Sequence, residues 1–392
     1  MEEGDFLPHI QRKDEGIRPM GSKLPAIVKA CIKPVDLVCK VFPIQKDKIV
    51  VDSYFTSKPE GNLKCIVDGL KEEKNWKIVL LFTQYANGMR GKLAYILHIF
   101  REVYHFNTAR LIILEGNSLT LSCIKKKKGV RALQVWHASG AFKKFGADTK
   151  RLYDIKNLDA ALVSSREFAE IYAQAFSLPV DKVYEVGVPR LDLLASGEYV
   201  EQLRRKMEQK YPVLQHKKLA LWAPTFRGQG VDDVSLPPMD FKRMEQALPG
   251  EWVLGVRLHP NITSYDKPQT LLDLTREDLI EVLSATDLLI TDYSSIIYEF
   301  SMFGKPMVFY VPDLEHYKGD RGFYMEYEKF VPGPIVQNEE ELLDFLERAD
   351  SLNGEQSAAF QNRYMAATDG NATKRVIRIV HQLINDENGI KM

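Results

Sequence analysis

The chain has 392 residues, 45% hydrophobic and 27% charged, with Lys+Arg and Asp+Glu both at 53. This composition excludes disordered and fibrous classes and leaves room for two domains of ordinary size. The balanced charge offers no bulk attraction for nucleic acid.

The first residues, MEEGDFLPHIQRKDEG, are acidic and polar where a secretion signal is basic and then apolar, so a frayed tail is expected. Over 24–42, Leu24, Ile27, Val28, Cys31, Ile32, Val35, Val38 and Phe42 fall on one helical face, with Lys29, Lys33, Asp36 and Lys40 elsewhere. Pro34 is expected to kink or split this helix. A basic amphipathic segment of this kind either lies on an anionic membrane surface or packs on its own domain.

From residue 48 strands and helices alternate. Strands are expected at 48–55, 76–83, 109–115, 130–136, 160–164 and 182–186, with helices at 62–73, 92–104, 118–127 and 166–176. Such alternation implies right-handed crossovers and a mostly parallel sheet covered on both faces. Lys125–Lys128 reads as a solvated helix end or as a contact for lipid phosphates. A charged helix at 198–210 then precedes a second series of strands at 219–223, 252–257, 288–291 and 307–311. Amphipathic helices at 339–348 and 372–384 close the chain.

The expected organisation is therefore a tail and amphipathic segment over 1–47, a Rossmann-like domain over 48–195, a second over 215–370, and a closing helix over 371–392. Two doubly wound sheets facing each other place a ligand in the cleft at the carboxyl ends of the strands. Cys31, Cys39, Cys65 and Cys123 are scattered without a CxxC pair, which suits reduced thiols in a cytosolic setting. No run approaches about 18 apolar residues, so no transmembrane helix is expected.

The polar residues of interest follow the expected strands. In QVWHASGAFKKFG, Trp136 ends a strand and His137 follows it. A histidine there serves as a general base near neutral pH, or simply as a hydrogen-bonded loop residue. Ala138, Ser139 and Gly140 are small enough to let a ligand approach. In YEVGVPRLD, Gly187 and Pro189 fix a turn before Arg190, which suits a bidentate phosphate contact or a salt bridge to Asp192. Pro224 and Thr225 follow a strand in LWAPTFRG, and Arg257 and His259 end another in WVLGVRLHP.

In TDLLITDYSSIIYE a short buried strand passes through a polar turn into a helix. Free backbone N–H groups and the hydroxyls of Ser294 and Ser295 there suit an anion, or an ordinary cap with a spare serine. Five strand ends carrying His, Arg, Thr or Ser fit one task, holding a phosphate-bearing donor while protons are moved. The chain lacks a GxxxxGK[ST] loop, a GxSxG elbow, an HExxH motif and an acidic triad with metal spacing. Asp232 and Asp233 read as solvated loop residues, and no metal ligand is assigned.

The order WHASGAFKKFG, VGVPRLD, APTFRG, RLHP, ITDYSSIIYEF and TDGNATKRVIRIV resembles the CDP-glycerol glycerophosphotransferases of wall teichoic acid synthesis, over residues 48–384. The resemblance implies a GT-B-like α/β architecture of two Rossmann-like doubly wound domains facing each other across a cleft. It implies His137 as the base that deprotonates the acceptor hydroxyl, and His259 as a second catalytic residue. Trp136, Ala138, Ser139 and Gly140 then contact substrate. Arg190, Pro224, Thr225, Arg257, His259, Ser294 and Ser295 match positions that hold the donor's cytidine and phosphates, and Glu299 stands where the polymerases carry Asp.

ASGA after His137, where polymerases read GTP, points to the primase subgroup. That subgroup transfers glycerol phosphate from CDP-glycerol to an undecaprenyl-diphosphate-linked ManNAc-GlcNAc disaccharide and releases CMP. No cofactor beyond this donor is implied, and a divalent metal is left open. The expected location is peripheral, on the cytoplasmic face of the membrane. Other teichoic acid synthesis enzymes are possible partners, and nucleic acid is not one. The alternatives are the same chemistry on a primed acceptor, by a second-unit transferase or short polymerase, and a GT-B nucleotide-sugar glycosyltransferase or epimerase.

Overall fold

Short apolar runs such as KIVVDS, LIIL and AALV need a sheet covered on both faces, because each buries the side chains that point up and those that point down. A computed structural model describes residues 24–83, 88–150, 153–227, 235–258, 262, 268 and 270–385. These residues divide into two compact units, 24–195 with 366–385, and 196–365.

The N-terminal unit runs α1 (Leu24–Cys39), β1 (Lys48–Ser53), α2 (Gly61–Glu72), β2 (Lys77–Phe82), α3 (Gly88–Thr108), β3 (Leu111–Leu114), α4 (Leu119–Cys123), β4 (Arg131–Gln134), β5 (Ala160–Val163), α5 (Ala169–Phe176) and β6 (Val183–Glu185). Its strands form one parallel sheet in the order β2-β1-β3-β4-β5-β6. Ile49, Val51, Ile113 and Leu133 point to one face, where they meet Leu63 and Ile66 of α2. Val50, Ile112 and Ala132 point to the other, against Ile99 and Val103 of α3 and Leu121 of α4.

Helix α1 lies on that second face. It runs through Pro34 as one helix rather than splitting, since proline removes a single backbone bond and the packing of Ile32 and Cys39 holds both halves. The sheet also decides which apolar residues of the segment turn inward. Val28, Ile32 and Val35 pack on the core, whereas Val38 and Phe42 are exposed together with Leu37 and Val41. The helix expected at 118–127 stops at Cys123, where the Asn157 side-chain amide donates to the carbonyls of Leu121 (2.7 Å) and Ile124 (3.0 Å). The Lys125–Lys128 run is therefore a loop and not a helix end.

The C-terminal unit runs α6 (Gly197–Lys210), β7 (Lys218–Trp222), α7 (Phe241–Ala247), β8 (Trp252–Val256), β9 (Leu272–Asp273), α8 (Leu279–Ala285), β10 (Thr286–Thr291), α9 (Ile296–Ser301), β11 (Met307–Tyr310), α10 (Leu314–Arg321), α11 (Tyr327–Phe330), β12 (Ile335–Val336), α12 (Glu339–Glu347) and α13 (Glu355–Tyr364). Its parallel sheet has the order β12-β11-β10-β7-β8-β9. Trp222, Val256, Ile290 and Val308 pack with Met244 of α7 and Leu342 of α12.

The last helix, α14 (Ala372–Asn385), returns to the N-terminal unit, where Val376 and Val380 join the core under α2. Asp192 fastens its start, accepting from the N–H groups of Ala372 and Thr373 at 2.8 Å each. Among the described residues no helix is long and apolar enough to cross a membrane.

Candidate active site

In the N-terminal unit the site forms where β4 ends. Trp136 has φ +61°, a left-handed conformation that disfavours any side chain with a Cβ. Burial over-determines it, because the indole stacks on Phe145 (4.9 Å between ring centres) and meets the edge of Phe176. The kinked strand end puts the His137 ring 4.4 Å from the Trp136 ring and 5.4 Å from that of Phe55.

Main-chain contacts fix the loop. Gln134 Oε1 accepts from the Trp136 N–H (3.3 Å), and Asn62 Nδ2 donates to the Trp136 carbonyl (3.4 Å). The Arg190 guanidinium donates to the His137 carbonyl and to Ser139 Oγ, both at 2.8 Å. Arg190 is held in turn by its own N–H, which donates to Asn62 Oδ1 (3.1 Å). In the structure described, then, the arginine expected at phosphate braces the histidine loop. The preceding turn needs Gly187 (φ +82°), since a Cβ there would run into the Ala367 carbonyl. A small pocket beside the loop is lined by Ala138, Asn62, Gly187 and Ser164. Ser164 Oγ, which the sequence does not single out, is buried with no hydrogen-bond partner among the described residues.

A second polar group is buried in the same unit. His98 Nε2 lies 3.1 Å from Asp52 Oδ1 and 3.9 Å from Glu102 Oε1, and His98 Nδ1 is 2.8 Å from Thr83 Oγ1. Among the described residues these three side chains have the spacing to hold a metal ion, with ligand atoms within 4.8 Å of one another. His98 and Glu102 stand one turn apart on α3 while Asp52 comes from β1, so no local motif announces the set. Burial pushes the Asp52 carboxyl up to about 8, and burial with the neighbouring Asp52 charge does the same for Glu102.

Both folded values exceed the ordinary 3.8 and 4.5. The folded state therefore binds the extra protons, and its stability falls as pH rises from about 4 to about 8. In EDTA, Asp52→Asn is expected to flatten this fall and to melt several degrees above the wild type at pH 8. Parallel melting curves across the pH series would remove the buried acid pair as the cause.

In the C-terminal unit the carboxyl ends of adjacent strands β10, β7 and β8 gather the expected donor residues. Pro224 and Thr225 follow β7, and Arg257 follows β8. Thr225 Oγ1 and Arg257 Nε are buried without hydrogen-bond partners among the described residues. Arg257 is only 9% exposed and donates from Nη2 to the Glu277 carbonyl at 3.4 Å. Burial depresses its pKa, against the opposing pull of the Asp278 charge. His259 and Asp232–Asp233 lie outside the described residues. Ser294 is buried, its Oγ accepting from the Ile296 N–H (3.3 Å), and Ser295 sits at the cap position of α9. Glu299 is buried within α9.

What holds these loops together is a cluster outside the sequence-derived set. Asp292 Oδ1 accepts from the N–H groups of Thr225 (2.8 Å) and Tyr293 (2.5 Å), and its Oδ2 accepts from Arg227 (2.8 Å). Arg227 also grips both oxygens of Asp313, at 2.7 and 2.9 Å. Burial works against the Arg227 charge, but Asp292 and Asp313 hold the guanidinium protonated above its ordinary range. Its guanidinium stands over the rings of Tyr293 (5.0 Å) and Tyr317 (5.5 Å), which stack on each other. A dipeptide such as Thr-Asp after a strand is the only sequence trace of this cluster.

Two parallel α/β sheets with a histidine, arginines and hydroxyls at their strand ends are the layers of a GT-B-like fold. The chain belongs to the CDP-glycerol:poly(glycerophosphate) glycerophosphotransferase family, whose sequence profile matches residues 36–382. It is 34% identical to the teichoic acid ribitol-phosphate primase of Bacillus spizizenii, over 89% of this chain and 94% of the relative. It is 30% identical to the teichoic acid glycerol-phosphate primase of Bacillus subtilis, over 83% of this chain and 90% of the relative. A solved structure of the wall teichoic acid polymerase TagF superposes with a TM-score of 0.72 over 92% of this chain and 94% of the other, at 22% identity, which bears on the fold. The chain is accordingly an enzyme of the CDP-glycerol glycerophosphotransferase class in teichoic acid biosynthesis, and a CDP-glycerol donor fits its family.

Proposed function

We propose that this enzyme performs a priming transfer, passing glycerol phosphate from CDP-glycerol to an undecaprenyl-diphosphate-linked ManNAc-GlcNAc disaccharide. The observation that carries the donor side is Arg257, a buried guanidinium whose Nε has no hydrogen-bond partner among the described residues, with the Thr225 hydroxyl likewise unpartnered on the neighbouring strand end. A buried cation of that kind suits a phosphate, whose oxygens satisfy the fork that protein groups leave open.

In the reaction the acceptor hydroxyl gives its proton to a ring nitrogen of His137 and its oxygen attacks the glycerol-bearing phosphorus. The bond from that phosphorus to the bridging oxygen breaks, and CMP leaves with the oxygen. Arg257, Thr225 and the serine turn at Ser294 and Ser295 hold the phosphates, and His259 assists as their charge develops. Ala138, Ser139 and Gly140 leave room beside the base, and Arg190 keeps the base loop in place. The enzyme works at the cytoplasmic face of the membrane, where its lipid-linked acceptor lies.

The test is CMP release from CDP-glycerol with the unprimed disaccharide acceptor. Arg257→Gln is expected to raise KM for CDP-glycerol by roughly 10- to 100-fold. Release only with an acceptor that already bears a glycerol phosphate would replace the priming role with addition of a later unit, and turnover of UDP-sugars would replace the reaction. A second reading, with CDP-ribitol as donor, is favoured by the higher identity to the ribitol-phosphate primase, 34% against 30%. Comparing kcat/KM for the two CDP-polyols separates them.

A further inference from the structure

A polar atom in a protein interior needs a hydrogen, another polar group or a cation to replace the water it has lost. Asp52 on β1 and His98 and Glu102 on α3 are buried together, at 2%, 2% and 4% exposure. His98 Nε2 lies 3.1 Å from Asp52 Oδ1 and 3.9 Å from Glu102 Oε1, and the three ligand atoms fall within 4.8 Å of one another.

A second observation separates this trio from an ordinary acidic cluster. Asp52 Oδ1 and His98 Nε2 have no hydrogen-bond partner among the described residues, although they are 3.1 Å apart. The ring nitrogen and the carboxylate oxygen are close without being aligned as donor and acceptor, as two ligands turned toward a common centre are. A metal ion with four bonds of about 2.1 Å spaces its ligand atoms about 3.4 Å apart, and the separations of 3.1 and 3.9 Å bracket that value.

The surroundings orient the ligands. His98 Nδ1 is 2.8 Å from Thr83 Oγ1, and a proton held on Nδ1 and donated there leaves Nε2 with its lone pair for a metal. Glu102 Oε1 accepts from Ser118 Oγ (3.2 Å), and its Oε2 accepts from Thr120 Oγ1 (2.5 Å). One imidazole nitrogen with two carboxylate oxygens suits Zn2+ or Mn2+, whereas magnesium and calcium favour shells of six or more oxygens. A divalent cation also neutralises both buried carboxylates at once.

We propose that Asp52, His98 and Glu102 form a structural site for a divalent transition-metal ion, Zn2+ or Mn2+, which fastens the end of β1 to α3. The burial of all three ligands leaves no approach for a substrate, so the ion acts on the fold and not on the reaction. The chain beyond Asp52 shows what is being fastened. Ser53 Oγ donates to Glu115 Oε2 (2.8 Å) and accepts from the Phe55 N–H (3.3 Å), and the Phe55 ring faces that of His137. The ion thus anchors the strand end that walls one side of the His137 ring.

The full chain, isolated without chelator from cells grown with both metals, is expected to carry about one equivalent of zinc or manganese by elemental analysis. After EDTA treatment and removal of the chelator, Zn2+ or Mn2+ at about 100 times its Kd is expected to raise the melting temperature by roughly 5 °C. The ion with the larger shift is the one the site prefers. Asp52→Asn and His98→Gln are expected to gain nothing from either ion. Thr83→Val keeps all three ligands but removes the hydroxyl that orients the imidazole, and is expected to bind roughly 10- to 100-fold more weakly. This variant reports on the site even where a ligand substitution fails to fold. His381→Gln, at a partly exposed histidine paired with Glu73, is expected to bind metal as the wild type does. A wild type with less than about a tenth of an equivalent, whose melting temperature neither ion moves, overturns the proposal and leaves the trio as carboxyls sharing protons. Binding that is equally tight in Asp52→Asn, His98→Gln and Thr83→Val places the metal elsewhere and overturns it as well. Metal content and melting temperature need no turnover, so the outcome is independent of the proposed reaction.

Discussion

Replacing His137 with alanine is expected to lower acceptor-dependent CMP release by roughly a thousandfold, the loss typical of removing a positioned general base. The melting temperature is expected to stay near that of the wild type. The reason is in how the loop is held. Arg190 grips the carbonyl of His137, Asn62 grips that of Trp136, and Gln134 accepts from the Trp136 N–H. Those contacts use main-chain atoms and survive truncation of the imidazole. What is lost is the partly buried ring between Trp136 and Phe55. His137→Gln keeps the size of the side chain without its basicity and is expected to be as inactive as the alanine variant. Near-normal turnover in either variant would assign proton removal to another group.

Arg227→Met is expected to destabilise the C-terminal unit by about 3–5 kcal/mol, because removing one partner of a buried ionic group strands the others. Asp292, 1% exposed, would keep its charge among buried neighbours with only backbone N–H groups to meet it. Asp313 would lose both of its bonds to the guanidinium. The loss is expected as a fall in melting temperature on the order of 10 °C, together with weaker CDP-glycerol binding, since Asp292 ties the Thr225 loop to the β10 end. Arg227→Lys restores the charge but not the fork, and is expected to recover only part of the stability. A melting temperature within experimental error of the wild type for Arg227→Met would show that the cluster does not hold these loops.

Much of this was legible in the sequence because parallel strands covered on both faces must be apolar throughout. KIVVDS, LIIL, AALV and MVFY can be little else in an alternating chain, and a polar residue directly after such a run falls at the carboxyl end of the sheet. That is why His137, Thr225, Arg257, Ser294 and Ser295 could be picked out without coordinates. Elements of two residues, such as Leu272–Asp273 and Ile335–Val336, carry too little periodicity to be read.

Three matters depended on the tertiary structure. The sequence offers Arg190 a phosphate or Asp192, but folding brings it to the His137 carbonyl and Ser139, and it gives Asp192 to the start of α14. Asp52, His98 and Glu102 meet only because β1 and α3 are packed together, and Arg227, Asp292 and Asp313 only because β7, β10 and β11 end side by side. Helix α3 is apolar around much of its circumference, and periodicity cannot say which side the sheet takes. The sequence by itself determined the layers and the chemistry at the strand ends, since both follow from burial along a single stretch. The tertiary structure alone decided which side chains meet and which apolar face stays open, since those depend on contacts between segments distant in the chain.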